Sequence, residues 1–312
     1  MTTVPRTPLL PGPGTAFAGA ARPRVVRLEP DAGAVTISRV LQMISIVLLV
    51  LVVDIVAISQ VQHYAWQNSL YQDVRLHLAE GSVPTGPAGA DGQVVAPGTP
   101  LAVFRAAELG IDHEVIVEGT ASAQTMQGIG HLRSTALPCQ VGTSVLMARA
   151  SAYGGIGGAW SRLVPGQRFS VTMAQGACTY EVMGSRLAGD QAPPFPIGRE
   201  GRLILTTASG APFMPDGVLR IDTKLVTDAF DRPPLVLPDA ALPASERAMG
   251  ADSSGAFGLL LLLEVLVAAA LGATWLWKRW GRWESWIVAV PVIATIGLLA
   301  ATNVNSFLPN LL

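Results

Sequence analysis

The sequence predicts a mostly β protein in which a closed β-barrel is held outside a membrane by three transmembrane α-helices. Half of the 312 residues are hydrophobic, only 14% are charged, and the formal net charge is −1. This composition is too apolar for an ordinary soluble domain. Three long apolar runs supply the helices, and a central region of short alternating segments supplies the strands.

The first apolar run, Val40–Ile58, is almost continuous and long enough to cross a hydrocarbon core of ~30 Å as a helix. We assign residues 39–60 to this first transmembrane helix. A cleaved signal peptide is the alternative, but the run is longer than a signal's apolar region and no small-residue cleavage site follows it. Residues 1–38 are rich in Pro, Gly, Ala and Arg without periodic hydrophobicity, which predicts a disordered tail.

Two further apolar runs, residues 255–277 and 286–305, predict a helical hairpin joined by the basic, aromatic link 278–285. Arginines also precede the first span. Because basic residues accumulate on the cytoplasmic side, the tail and the link are expected there. The sequence therefore predicts a multi-pass protein of the plasma membrane, with everything from about Gln60 to Ser254 outside.

Two acidic residues, Asp54 and Glu264, lie inside the predicted spans. A carboxyl group in lipid costs about 2.5–3.5 kcal/mol on insertion scales, so such residues usually face protein or water. One interpretation is a site for helix pairing or for a membrane-protein partner. The other is a carboxyl group near the interface that is hydrated or protonated.

The external region divides into three parts by composition. Residues 61–100 predict a stalk helix followed by a Gly/Pro linker that spaces the domain from the membrane, and residues 229–254 predict a Pro-rich return linker. Between them, residues 101–228 contain short segments bounded by Gly, Pro, Asp or Ser, which is typical of a small closed barrel. One helical turn is expected at Ser122–Met126. The predicted strands lie in LAVFRAAEL, HEVIVEG, TSVLMARA, QRFSVTMA, ACTYEVMGSRL, GRLILTTA and VLRIDTKLV.

Several motifs in the barrel region resemble the sortase family in order and spacing, most of all the housekeeping-type and class E sortases of Gram-positive bacteria. They are LGIDHEVIVEGT, GIGHLRSTALPCQVGTSVLMARASAYGG, WSRLVPGQRFSVTMAQGACTYEV and RLILTTASG, and the resemblance covers nearly all of Leu101–Val226. It implies a sortase-like β-barrel. It also implies transpeptidation, in which a Cys thiolate attacks a peptide bond of a surface protein, a His moves protons, and an Arg stabilises the oxyanion.

The residues at the family's catalytic positions depart from that pattern. Arg149 occupies the histidine position, and a guanidinium stays protonated and cannot shuttle protons as an imidazole does. Ala208 occupies the cysteine position, where a methyl group cannot be acylated. Val218 falls at the arginine position; Arg220 lies two residues later on the same face of the strand. The resemblance therefore implies a degenerate member, a pseudoenzyme.

The chain has two cysteines, Cys139 and Cys178, both in the external region, where oxidation is possible. One interpretation pairs them in a disulfide. Another makes Cys139 a relocated nucleophile with His131 as its base. A third leaves both as free, inert thiols.

Other classes of site receive little support. The run YGGIGG lacks the spacing of a phosphate-binding loop, and no convincing helix follows it. We therefore predict a flexible turn. No histidines combine with acids or cysteines in a metal-ligand pattern, and no basic stripe indicates nucleic-acid binding. We expect no metal, no cofactor and no nucleic-acid partner.

Three functional hypotheses follow. The first is a non-catalytic binding or assembly module that engages cell-surface proteins or a peptide segment in the former cleft, with Arg149, Tyr153 and Arg220 as binding residues that could clamp a carboxylate. The second is an active cysteine transpeptidase using Cys139. In the third, the barrel is a structural cap and the spans carry the partner contacts.

Overall fold

A computed structural model describes residues 32–89 and 92–312 of the chain. Of the predicted tail, residues 1–31 lie outside the described residues, as do residues 90–91 of the predicted linker. The chain divides into two compact units, Met1–Val47 and Leu48–Leu312. The first unit is described from Ala32, where helix α1 begins, and all contacts discussed below lie in the second.

Three helical stretches among the described residues are long and apolar enough to cross a membrane. Helix α1 (Ala32–Val53) continues through a π-helical turn, Asp54–Ile58, into helix α2 (Ser59–Glu80). Gly81 ends α2 with a φ of 69°, a left-handed conformation that favours glycine. Helices α5 (Ala256–Arg279) and α6 (Arg282–Ser306) pack together as a hairpin.

Eight strands among the described residues close into one barrel in the order β1-β2-β3-β4-β7-β8-β6-β5. This confirms the predicted fold class of a closed β-barrel with three long apolar helices. The barrel interior is filled by aliphatic and aromatic side chains that include Phe104, Trp160 and Tyr180. The strands are β1 (Pro100–Ala106), β2 (Ile111–Glu118), β3 (Ile129–His131), β4 (Gly142–Met147), β5 (Arg168–Met173), β6 (Gly176–Leu187), β7 (Gly201–Ala211) and β8 (Met214–Leu225).

Two elements are absent from the sequence prediction. Strand β3 has only three residues. It is held in extended form by pairing parallel to β2 and antiparallel to β4. A segment this short carries no periodic pattern of its own. The run YGGIGG contains the start of a short helix, α4 (Ile156–Trp160), in addition to the expected helical turn, α3 (Ser122–Gln127).

Helix α2 is packed against the barrel, which differs from the predicted stalk. Leu70 and Val74 of α2 are buried against Val115 and Val117 of β2. The Gln67 side chain accepts a hydrogen bond from the Val115 amide at 2.8 Å and donates one to the Gln127 carbonyl at 2.7 Å. The apolar residues of this segment follow a helical spacing only loosely. The sequence therefore indicates neither the apolar face that covers β2 nor the hydrogen bonds of Gln67.

The two linkers are packed as well. Val83 and Val95 are buried on either side of the short Ala88–Val94 bridge, so the described part of the first linker is not a free spacer. In the return linker Leu242 and Glu246 are buried, and Thr120 Oγ1 donates a 2.6 Å hydrogen bond to the Glu246 carbonyl. Buried backbone polar groups need partners, and these contacts supply them.

Candidate functional site

The positions that the sequence singled out lie around the ends of β4 and β7, which pair in parallel. Ala208 of β7 is directly opposite Val218 of β8 in the antiparallel register. Arg149 follows the end of β4 by two residues. The fold thus brings the backbone of these three positions to one region, where Ala208 and Val218 contribute a methyl and an isopropyl group.

The Arg149 side chain is turned into the protein and is only 1% exposed. Its Nη2 donates to Ser122 Oγ at 2.5 Å, and its guanidinium lies 5.2 Å from the centre of the Tyr153 ring. Burial lowers the pKa of Arg149 to about 10, which still leaves it charged at neutral pH. Two of its nitrogens, Nε and Nη1, are buried without a protein acceptor. Such unpaired donors are unusual in a folded protein.

Tyr153 is also buried, and its hydroxyl accepts a 2.8 Å hydrogen bond from the Asn305 amide. The same amide donates to the Asp54 carboxylate at 2.7 Å. Through this bond Asp54, in the π-helical turn after α1, is paired with helix α6 of the same chain. Glu264 is exposed on α5 and makes no polar contact with the described residues.

Ala208 is 9% exposed and belongs to a small apolar cluster with Met147 and Leu311, against which Val218 also packs. Beside it lies a cavity of about 290 Å³ lined by small residues and by the turn between β7 and β8. The lining includes Ala150, Ser151, Ala208, Ser209, Phe213 and Leu312. The cavity offers backbone and hydroxyl groups but no nucleophile stronger than a serine hydroxyl.

Arg220 lies outside this cavity. It lines a second one, of about 220 Å³, together with Thr206, Asp239 and Arg247. Burial lowers the pKa of Arg220, and the nearby Arg186 charge lowers it further. Because Arg149 points inward and lines neither cavity, the structure does not join Arg149 and Arg220 into the expected carboxylate clamp.

Cys139 and Cys178 are joined in a disulfide with an S–S distance of 2.00 Å. The structure therefore brings Cys139 to Cys178 and not to His131. The His131 Nδ1 lies 2.9 Å from the Glu118 carboxylate, and its Nε2 lies 2.9 Å from the Ala136 carbonyl. With both nitrogens occupied, His131 is not placed as a base for a thiol.

Among residues 32–89 and 92–312, no group of three His, Cys, Asp or Glu side chains is arranged to hold a metal ion. Sequence reasoning gave no role to the segment that follows the third span, Phe307–Leu312, yet this segment contacts Ser122, Ala150 and the Ala208 cluster. The sequence does contain an indication of this contact. The segment is apolar with one Asn, and it follows a helix whose end is expected on the same side of the membrane as the barrel.

No protein-family model matches the chain, and no curated protein matches it. Solved structures that match include a sortase D5 transpeptidase from Clostridium perfringens, with 13% identity and a TM-score of 0.39, covering 52% of this chain and 99% of that one. Sortase A from Corynebacterium diphtheriae has 16% identity and a TM-score of 0.36, covering 52% and 84%. Sortase E from Streptomyces avermitilis has 20% identity and a TM-score of 0.35, covering 49% and 100%.

Proposed function

We propose that this chain is a membrane-anchored, sortase-like module that binds peptide segments of cell-surface proteins without transferring them. The motifs in Leu101–Val226 that resemble sortases support a sortase-type barrel. The observation that carries the non-catalytic part is Ala208, an alanine at the family's nucleophile position that is packed among apolar side chains. An acyl intermediate needs a nucleophilic atom there, and a methyl group has none.

The other requirements of the reaction are also unmet. Proton transfer needs a group whose pKa is near the working pH, whereas Arg149 remains charged and its free nitrogens are donors only. Val218 offers no hydrogen bond to an oxyanion. What supports binding is the apolar cluster around Ala208, the cavity of about 290 Å³, and the amides of the loop after β4, which donate to the carbonyls of an irregular segment of this chain.

Reversible binding without transfer is tested on the full chain in detergent micelles. The probe is a fluorescein-labelled peptide carrying a cell-wall sorting signal, mixed with an amine acceptor. We expect its fluorescence anisotropy to rise with protein concentration, with no covalent adduct and no transfer product by mass spectrometry. Ala208→Arg, which places a long side chain in the apolar cluster, is expected to abolish the rise.

Two results would contradict this proposal. An adduct or product whose formation is lost in Cys139→Ser would establish the alternative, an active transpeptidase with a relocated nucleophile. The second result concerns the wild type and Leu311→Ala, a variant that removes one side chain from the apolar cluster around Ala208. If the anisotropy changes with neither protein, the chain does not bind the peptide. The partner contacts would then belong to the membrane helices.

A further inference from the structure

The cleft formed by Met147, Ala208 and the loop after β4 is partly occupied by a segment of this chain, which also borders the cavity of about 290 Å³. Phe307–Leu312 follows α6 directly and forms no strand or helix of its own. Asn310 and Leu311 nevertheless have no exposed surface, the burial expected of a core residue. An irregular segment buried to this degree is held by its surroundings, as a bound peptide is.

The backbone of the segment is bound by the loop that follows β4. The Ala150 amide donates to the Leu311 carbonyl at 2.9 Å, and the Ser151 and Ala152 amides donate to the Leu312 backbone oxygen at 3.1 and 3.2 Å. At the other end, Ser122 Oγ donates to the Leu308 carbonyl at 3.1 Å. The same hydroxyl accepts from Arg149, so Arg149 supports the segment through Ser122.

The Asn310 side chain gives the contact its chemical selectivity. Its amide nitrogen lies 2.6 Å from the Thr120 carbonyl, 2.9 Å from the Arg247 carbonyl and 3.3 Å from the Ser245 carbonyl. Its backbone N–H donates to the Gly250 carbonyl at 2.9 Å. Since carbonyl oxygens accept but do not donate, they select an amide over a carboxylate or an aliphatic side chain at this position.

Leu311 supplies the apolar half of the contact. Its side chain belongs to the cluster of Met147 and Ala208, with Val218 adjacent. A thiolate and a guanidinium at positions 208 and 218 would face this aliphatic side chain without compensation, which costs free energy. The apolar side chains of Ala208 and Val218 can instead pack against Leu311 without burying a charge. The departures from the sortase pattern thus coincide with the place where the chain's own leucine lies.

We infer that this cleft is a peptide-binding site occupied in cis by Phe307–Leu312, and that its ligand class is a peptide with asparagine followed by leucine. A peptide from another chain then enters only when the segment leaves. The occupancy rests on the contacts above, and the entry of a second peptide rests on the proposed function. The segment is covalently continuous with α6, so its release also frees the membrane hairpin from this part of the barrel.

The test uses an introduced thiol in the full chain, with the native disulfide intact. Ala208→Cys places the reporter under Leu311, and its alkylation by N-ethylmaleimide is followed by intact mass. We expect slow alkylation with the native segment. Addition of Asn310→Ala and Leu311→Ala should raise the rate by at least about tenfold, because a group protected by a local contact reacts in proportion to its open fraction.

Controls separate release of the segment from general loosening. Asn303→Ala removes a similar amide that bonds only to its own helix, at Leu299, and should leave the alkylation rate unchanged. A thiol introduced by Met214→Cys, at a position 76% exposed, should react equally in all backgrounds. A synthetic peptide of residues 306–312 should restore protection to the double variant. The same peptide with both residues replaced by alanine should not.

Equal alkylation rates in the native and double-variant backgrounds would overturn cis occupancy, whatever the labelled sorting-signal peptide does. Faster alkylation without re-protection by the synthetic peptide would overturn the assigned ligand class. If the synthetic peptide re-protects the thiol while the sorting-signal peptide binds no variant, the cis site stands and the proposed function fails.

Discussion

His131 is a buried histidine at the end of strand β3. It is 1% exposed, and both ring nitrogens face acceptors, the Glu118 carboxylate and the Ala136 carbonyl. An imidazole donates from both nitrogens only when it is protonated. Burial alone would lower the pKa of His131, but the charge and hydrogen bond of Glu118 outweigh it and raise that pKa. His131 therefore joins β3 to the loop that precedes Cys139, in surroundings that favour its protonated form.

The raised pKa of His131 predicts a pH-dependent stability. This contribution is complete below the unfolded-state pKa of about 6.5 and is lost as the pH rises through the higher folded-state pKa. The melting temperature of the wild type should fall on going from pH 6.5 to alkaline pH. In His131→Gln/Glu118→Gln, where two neutral amides can pair, this fall should be reduced.

The matched control for this measurement is His77→Gln, because His77 contacts Ser82 in an exposed part of the chain. Its pH profile should follow that of the wild type. A double variant with the same pH dependence as the wild type would show that the buried ion pair does not titrate between the two states.

At the scale of elements, helix α2 determines how the barrel is attached. Its apolar residues cover β2, and the Gln67 side chain accepts from the Val115 amide of β2 and donates to the Gln127 carbonyl at the end of α3. His63, one turn earlier, lies 2.8 Å from Glu114 and 3.1 Å from the Met126 carbonyl. The helix that continues from the first apolar stretch is therefore packed as part of the barrel domain.

Gln67→Ala should destabilise the barrel by about 1–3 kcal/mol, because it leaves the buried Val115 amide without an acceptor. Gln72→Ala, on the exposed side of the same helix, should change stability little. Thermal unfolding of the full chain in micelles gives the comparison. Equal melting temperatures for the two variants would mean that water replaces the Gln67 contact at no cost.

At the scale of the whole molecule, one hydrogen-bonded network joins two of the long apolar helical stretches to the barrel. Asn305 at the end of α6 donates to Asp54 in the π-helical turn and to Tyr153 in the loop after β4. Tyr153 in turn stacks on Trp66 of α2, with ring centres 6.0 Å apart. The loop after β4 and the π-helical turn are thus both bonded to one asparagine amide of α6.

Asn305→Ala should leave the Asp54 carboxyl and the Tyr153 hydroxyl without this donor, at a cost of about 1–3 kcal/mol. The expected result is a lower melting temperature together with faster proteolysis in the loop after β4. Asn303→Ala provides the control. If both variants behave as the wild type, the three elements are held by apolar packing alone.

Much of the architecture follows from the sequence by itself. Apolar runs long enough to span a bilayer identify the three helices, since a single continuous run can satisfy its own backbone hydrogen bonds in lipid only as a helix. Alternating segments identify seven of the eight strands, because strands half-buried in a barrel wall need one apolar face. The sequence also gives Arg, Ala and Val at positions 149, 208 and 218, and none of these side chains carries a thiol.

Only the tertiary structure decided the remaining features. Strand β3 and the segment Phe307–Leu312 are too short to carry a pattern, and each takes its conformation from hydrogen-bonding partners far away in the chain. The inward turn of Arg149 depends on Ser122, and the partner of Asp54 is 251 residues away. Local sequence encodes which faces are apolar. Which polar groups meet is fixed when the barrel closes, because a buried donor or acceptor must then find a partner wherever the fold brings one.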